Sequence, residues 1–488
     1  MKRFSFRLIP LLSLPVLLAC FIIGGTSCKK DTLLASGGEL RFSTDTLAFD
    51  TVFTSLGSYT QEIKIYNRQS QRVTLSSVRL AGGTASAFHL NVDGIEGNEV
   101  KNIDIAANDS VYVFATVKID PTQEDNPFVI TDQLIATLNG RDFSIPFTAY
   151  GQNAHYFKGP DPISASNLFL PVSGIWGDTD HKPYVLIGSV GISPGANLTI
   201  KEGTRIYMHA NARMIVQGNL TADGTKKDSI IFQGDRLDRA YFGYEGYPGE
   251  WGGIYFDTLA TGHFRHVILQ NGGNGALGFV GAILQVNPTA HVALDRCIIR
   301  NSIGYGIFSY GGNLRADNTL IHDCGQQAVA IVLGGNDTFN NCTMALYGNK
   351  KLSHVDNPAA VVLNYYKPNE TTTYTADLHA VFSNCVIYGT LEKDEVIVDN
   401  LSAAAFDVTF RDCVLKMTTA MPAVVQQTRV SYNTDPLFMD VTKWDYHAKA
   451  GSPLIDKGTA PSVSGLDISL DDVQRPQAGG WDIGAYEQ

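Results

Sequence analysis

A base, a cation and a carboxylate recur in front of one repeated phrase. His266 precedes VILQ, Arg296 precedes CIIR and Asp317 precedes NTLI. Elimination from an acidic polysaccharide requires such a set: a cation to neutralise the uronate carboxylate, and a base to remove the proton α to it. Hydrolysis of a glycosidic bond requires instead two carboxylates flanking that bond. In the later phrases the same position holds Asn341, Asn384 and Asp412. These residue types also suit an ordinary solvated face, so the trio His266, Arg296 and Asp317 stands beside that plainer reading.

A second group could bind rather than react. The stretch YFGYEGYPGEW places Tyr241, Tyr244 and Tyr247 within seven residues, with Glu245 among them and Glu250 just after. Aromatic faces stack on the C–H faces of sugar rings, and carboxylates hold hydroxyls. Tyr365 and Tyr366, at the edge of a later insertion, could extend such a strip. The same rings could equally pack back on the core, and Trp251 in PGEWGGI reads as a packing residue.

The elements that must position these residues are legible from the repeat. The phrases LDRCIIRN, FNNCTMAL, SNCVIYG and FRDCVLKM share one register, with FRHVILQN and RADNTLIH beside them. Along Val267, Cys297, Asn318, Cys342, Cys385 and Cys413 the steps are 30, 21, 24, 43 and 28 residues. A second phrase keeps pace: GGIYF, GAILQ, GYGIF, AVAIV, AAVVL, EVIVD, AVVQQ. Two short strands repeating together describe the coils of a solenoid, each strand stacking on its counterpart in the next coil. The long step is one coil carrying two insertions, GNKKLSHVDNP and KPNETTTYTADL. The cysteines are then interior stacking residues, buried and inert, because nothing electropositive adjoins them to lower a thiol pKa. If they point inward, the residue before each should point outward. The next outward column, Ile298, Thr319, Thr343, Val386 and Val414, is rather apolar, which suggests either that something covers that face or that the assignment of inward and outward positions is reversed.

Residues 39–152 read differently. QEIKIYN, VYVFATVKI, QLIATL and FSIPFTAYG alternate apolar and polar residues between turn signals, the pattern of an antiparallel sandwich. Residues 153–160 are expected to be a linker, 161–430 the coils, and 431–488 a cap closing the open end of the core. The chain has 488 residues, with 47 Gly and a net charge of −11. That charge argues against nucleic acid as a partner, since phosphate neutralisation requires a basic surface. Residues 1–27 have the charge and hydropathy pattern of a signal peptide: Lys2, Arg3 and Arg7, then an apolar run, then GGTS before Cys28. This resembles a lipobox and implies diacylation of Cys28, with 28–38 as a polar tether; LLAC at Cys20 is a competing match. Five cysteines remain, a poor disulfide framework, and none has zinc spacing, so no metal and no cofactor is expected.

The stretches LTIKEGTRIYM, IVQGNLTADGTKKDSIIFQGDR and PGEWGGIYF, with the tail GSPLIDKGTA and DVQRPQAGGWDIGAYEQ, resemble the right-handed parallel β-helix proteins of the pectate-lyase-like superfamily. More narrowly, they resemble surface lipoproteins of Gram-negative bacteria. The stretch from Leu47 to Leu80 resembles bacterial immunoglobulin-like domains. The resemblance implies an all-β protein: an immunoglobulin-like sandwich, a right-handed parallel β-helix and a C-terminal cap. It implies a lipid-anchored outer-membrane protein at the cell surface or periplasmic face, with a polysaccharide or surface protein as partner and the membrane reached through the lipid alone. The superfamily mixes lyases, hydrolases and adhesins, and this chain lacks the paired-Asp and calcium patterns of pectate lyases and polygalacturonases. A non-catalytic glycan binder is therefore the leading expectation, and a polysaccharide lyase or glycoside hydrolase the alternative. Some exported lipoproteins of this kind carry O-glycans at Asp-Ser/Thr-aliphatic triplets, which here implies Thr32, Thr46, Thr51, Ser110, Ser229 and Thr258.

Overall fold

A computed structural model describes residues 32–122, 127–161, 168–237, 246–275, 279–461, 465–477 and 479–488. Cys20 and Cys28 lie outside the described residues. The chain divides into two compact units, Met1–Pro121 with Phe128–Gly151, and Thr122–Pro127 with Gln152–Gln488.

The first unit holds two antiparallel five-stranded sheets. One runs in the order Leu40–Phe42, Gln61–Asn67, Ser110–Val117, Phe88–Val92, Ile95–Glu96; the other in the order Leu47–Phe53, Arg141–Gln152, Phe128–Leu138, Val73–Leu80, Glu99–Ile105. Period-two alternation turns Ile63, Ile65, Leu90, Val113, Leu75 and Phe147 into one shared core. The expected tether already engages this unit: Leu33 bridges Arg72, and the Leu34 amide donates to the Arg72 carbonyl at 2.8 Å.

The second unit is built from three parallel sheets, with eleven, nine and ten strands among the described residues. Neighbouring strands within each sheet come from successive coils, which makes the unit parallel-β-helix-like. The eleven-stranded sheet carries the cysteine phrase and the nine-stranded sheet carries the second repeated phrase as far as EVIVD. The ten-stranded sheet carries a third strand, from Gly174–Trp176 to Gln426–Thr428, that neither phrase tracks until its last copy, where AVVQQ joins this sheet instead of the nine-stranded one. The strands are short and only alternate residues face the shared interior, two in NLTIK and two in HVALD, so like shapes stack. Phe339, Phe382 and Phe410 are parallel to within 2° and 7°, with centroids 4.9 and 4.7 Å apart. Cys297, Cys342, Cys385 and Cys413 are buried and free, and burial pushes the Cys297 thiol up to about 12.

Two boundaries are corrected. The expected linker contains the first rung of the coil: His155–Lys158 pairs in parallel with Tyr184–Ile187, and Phe157 stacks on Trp176 at 5.0 Å. The C-terminal segment lies along the flank instead of across the end of the core. Phe438, Tyr446, Leu454, Leu470, Ile483 and Ala485 pack on Leu320, Ala345, Val386 and Val414, outward residues of the eleven-stranded sheet. An apolar outward column would cost stability in water, and the tail removes it from water.

Candidate functional site

The position before each cysteine is neither inward nor outward strand. His266, Arg296, Asn318, Asn341, Asn384 and Asp412 have φ between 46° and 53°, the left-handed region. They form the turn between the ten- and eleven-stranded sheets, where a left-handed residue bends the chain; Asn and Asp tolerate that conformation best. The turn is sealed. His266, Asn341, Asn384 and Asp412 are buried, Asn384 donates to the Asn341 side chain at 2.8 Å and to the Thr459 carbonyl at 2.8 Å, and Arg429 grips Asp412 through two bonds of 2.5 and 2.8 Å. The expected outward column is thus a buried ladder, because the turn residue breaks strand alternation.

Two members of the proposed trio do meet. The tail residue Asp472 lies 3.2 Å from His266 Nε2 and accepts from Arg296 at 2.9 Å, while Arg296 also grips Asp295 at 2.8 Å. Burial lowers the His266 pKa, and Asp472 offsets this only in part. Asp317 is not in their column. Arg296 corresponds to Asn318, and Asp317 pairs with Asp295 on one side and Asn340 on the other. Its carboxylate accepts from Arg315 at 2.7 Å and Asn340 at 2.8 Å, and burial raises its pKa against both partners. The cation is therefore ion-paired with Asp295 and Asp472, and the base lies against the same Asp472, both beneath a covering segment.

Of the aromatic candidates, Tyr241 and Tyr244 lie outside the described residues. Tyr247 is exposed, with Lys351 Nζ 4.4 Å from its ring centre. Tyr365 and Tyr366 pair with Tyr374–Thr375 in a small hairpin; Tyr365 donates to Asp399 at 2.8 Å and Tyr366 meets the edge of Tyr310 at 5.2 Å. Tyr247 precedes the nine-stranded sheet's Gly253–Phe256 and Tyr365 follows its Ala360–Leu363, so the two groups sit at opposite margins of that sheet. Trp251 is buried and donates to the Gln270 carbonyl at 2.8 Å.

The long open face belongs to the ten-stranded sheet. Its inward residues are apolar except Asp337; its outward residues form three polar columns. One runs Asn219, Thr261, His291, Asn313, Asn336, His379, Asp407. The second runs Thr221, His263, Ala293, Arg315, Thr338, and the third Asp223, Arg265, Asp295, Asp317, Asn340. Thr261 donates to Asn219 at 2.6 Å, and Arg265 donates to Asp223 at 2.5 Å, so the columns are internally bonded. Where the small side chain of Ala293 stands between His263 and Arg315, the face dips into a cavity of about 410 Å³ lined by His291, Asn313, Arg315, Asn336 and Thr338. Amides, an imidazole, a guanidinium and hydroxyls converge there, which is the donor and acceptor set that orients sugar hydroxyls. The signal was present in the sequence as NLTAD, HVALD and NLRAD, strands whose alternate residues are polar.

No three His, Cys, Asp or Glu residues converge as a metal site among the described residues. At the glycosylation triplets, Thr32, Thr46 and Thr258 are exposed, and Thr51, Ser110 and Ser229 are half-buried.

No family model matches the chain, and no curated relative matches it. Among solved structures, it is similar to a family 123 glycoside hydrolase from Clostridium perfringens, described for the details of glycolipid glycan hydrolysis. The identity is 11%, the TM-score 0.18, and the match covers 24% of this chain and 24% of that one. The chain thus spans about a quarter of that structure's length, and a likeness of this size carries no argument.

Proposed function

We propose that this is a lipid-anchored cell-envelope protein whose parallel β-helix, of the right-handed pectate-lyase-like kind, binds a glycan without cleaving it. The first unit is read as an immunoglobulin-like sandwich that holds the helix off the membrane. The outer membrane, at its surface or periplasmic face, is the proposed location. The observation that carries the reading is the contrast between two faces. The flank holding His266 and Arg296 is covered by the tail, with Arg296 ion-paired to Asp472, while the ten-stranded face is open, polar and dished at Ala293. A surface of interbonded amides and hydroxyls is preorganised for hydroxyl-rich ligands.

The enzymatic reading has one observation in its favour. Asp295 and Asp317 are direct neighbours on adjacent coils, and the Asp317 pKa is raised, as a general acid requires. Both carboxylates are engaged by arginines, however, which favours the binding reading.

A glycan array probed with the full-length protein tests both. Binding to an oligosaccharide that Arg315→Ala or Asn313→Ala weakens by about tenfold, the scale of one lost charge-assisted hydrogen bond, supports the proposal. Release of new reducing ends or of an unsaturated uronate, abolished by Asp317→Asn, would instead make the protein an enzyme. Binding untouched by these face variants would refute the assignment.

A further inference from the structure

The first unit carries an aromatic platform of its own on the outer face of the sheet that contains Ser110–Val117. Strand alternation sends Val111, Val113, Ala115 and Val117 into the core and leaves Tyr112 and Phe114 outside. Tyr112 is 41% and Phe114 37% exposed, their rings parallel to within 9° and their centres 6.1 Å apart. Two large rings held parallel on a solvated sheet have no packing purpose there, since the core is on the other side. Lys64, the cross-strand partner of Tyr112, holds its Nζ 4.6 Å from that ring centre and fixes the orientation of the pair.

Phe114 is also part of the wall of a cavity of about 680 Å³, which His89, Asn91, Glu96, Asn98 and Thr116 line as well. The register explains their convergence: Phe114 pairs with Asn91, Asn91 with Glu96, and Thr116 with His89. Asn91 accepts from the Gly94 amide at 2.9 Å, which leaves its NH2 as a donor; Asn98 donates to the Gly83 carbonyl at 2.9 Å, which leaves its oxygen as an acceptor. An aromatic wall with a separate donor amide, acceptor amide, imidazole and carboxylate fits the two surfaces of a sugar, its C–H face and its hydroxyl rim.

We infer that this cavity is a second glycan-binding site, selective for a neutral oligosaccharide. Charge sets the selectivity. The carboxylate in the cavity is Glu96, and the nearby cation Lys64 is shared with Glu62 at 3.9 Å, so a uronate would meet net negative charge. The site is distinct from the ten-stranded face and stands or falls without it.

Affinity electrophoresis of the full-length protein in gels holding starch, yeast mannan, β-1,3-glucan or xylan provides the test, with alginate as the acidic control. The expected result is retardation by at least one neutral polysaccharide and none by alginate. Phe114→Ala should lower that affinity by about tenfold, consistent with the loss of one stacking ring. Phe114→Trp should retain it, and Tyr150→Ala, an exposed ring on the other sheet of the same unit, should leave it unchanged. An unchanged thermal midpoint in Phe114→Ala would separate lost binding from lost folding. Absence of retardation by all four neutral polymers overturns the inference, as does retardation equal in wild type, Phe114→Ala and Tyr112→Ala. Retardation lost in Arg315→Ala alone also overturns it and assigns the binding to the ten-stranded face.

Discussion

Asp337 is a carboxyl set among apolar neighbours. It occupies an inward position of Gly335–Asn340, in one column with Leu314 and Ala380, and is fully buried. Among the described residues its side-chain partner is Ser309, whose hydroxyl donates at 2.9 Å, and its second oxygen has no hydrogen bond. Burial pushes this carboxyl up to about 8, against the pull of Ser309 and the Leu314 amide, so at neutral pH it is largely protonated. The sign of the linkage follows. An unfolded Asp titrates near 4, so between about 4 and 8 the folded protein binds the extra proton, and stability falls as pH rises through that window. Asp337→Asn removes the titration while keeping shape and acceptor. The difference in stability between this variant and wild type should therefore grow with pH from about 5 to 8, by up to about 1.4 kcal/mol per pH unit. Denaturant midpoints measured across that range check it; a difference independent of pH would show that Asp337 is not the titrating group.

At the scale of elements, the tail decides which face of the coil is available. Its apolar side docks on Leu320, Val386 and Val414, and its polar side is held by an ionic cluster. His447 contacts Asp445 at 2.6 Å and Asp471 at 2.5 Å, and Lys226, from an early coil, also pairs with Asp471. The bond to Asp471 raises the His447 pKa, with Asp445 adding to it, while His447 and then Lys226 hold Asp471 down at about 2. Docking of the tail should thus be firm at mildly acidic pH and weaken as pH rises past the raised pKa of His447; it should be lost on the acid side only toward about 2. Normalised hydrogen-exchange protection of Asp445–Ala448 should follow this course in wild type and become flat between about pH 6 and 8 in His447→Ala, the range in which a histidine titrates. This cover was legible in part. An apolar outward column announces a partner, and Ile298, Val386 and Val414 supply it; Leu320 belongs where Thr319 was expected, because Asn318 is the turn residue of that coil. The same left-handed turn misled the reading of His266 and Arg296: period-two logic holds within a strand and fails at the residue that ends it. The ten-stranded face was missed for another reason. Its strands repeat a polarity pattern instead of a residue, so no letter such as cysteine marks the register.

At the scale of the whole molecule, a long repetitive polar face is most useful when its position relative to a surface is fixed. Ten strands about 4.8 Å apart offer many equivalent contacts to a repeating polymer, and such contacts add through effective concentration only if the protein is held in place. The proposed anchor supplies that hold, and it rests on GTSCKKD, where small residues precede Cys28 and a polar segment follows it. Processing at Cys20 would leave Phe21, Ile22 and Ile23 directly beside the lipid, whereas processing at Cys28 leaves Lys29, Lys30 and Asp31 to enter water. One acyl chain binds membranes only marginally, so the diacylated cysteine that a lipobox implies is the form that would stay bound. Growth of the native host with labelled palmitate should label the wild-type protein and move it to the membrane fraction. Cys28→Ala should abolish both label and membrane retention, and Cys20→Ala should abolish neither. Label lost in Cys20→Ala and kept in Cys28→Ala would place the processing site eight residues earlier; label absent from all three would leave the glycan-binding faces on an unanchored protein, where binding should saturate with single-site affinity instead of avidity.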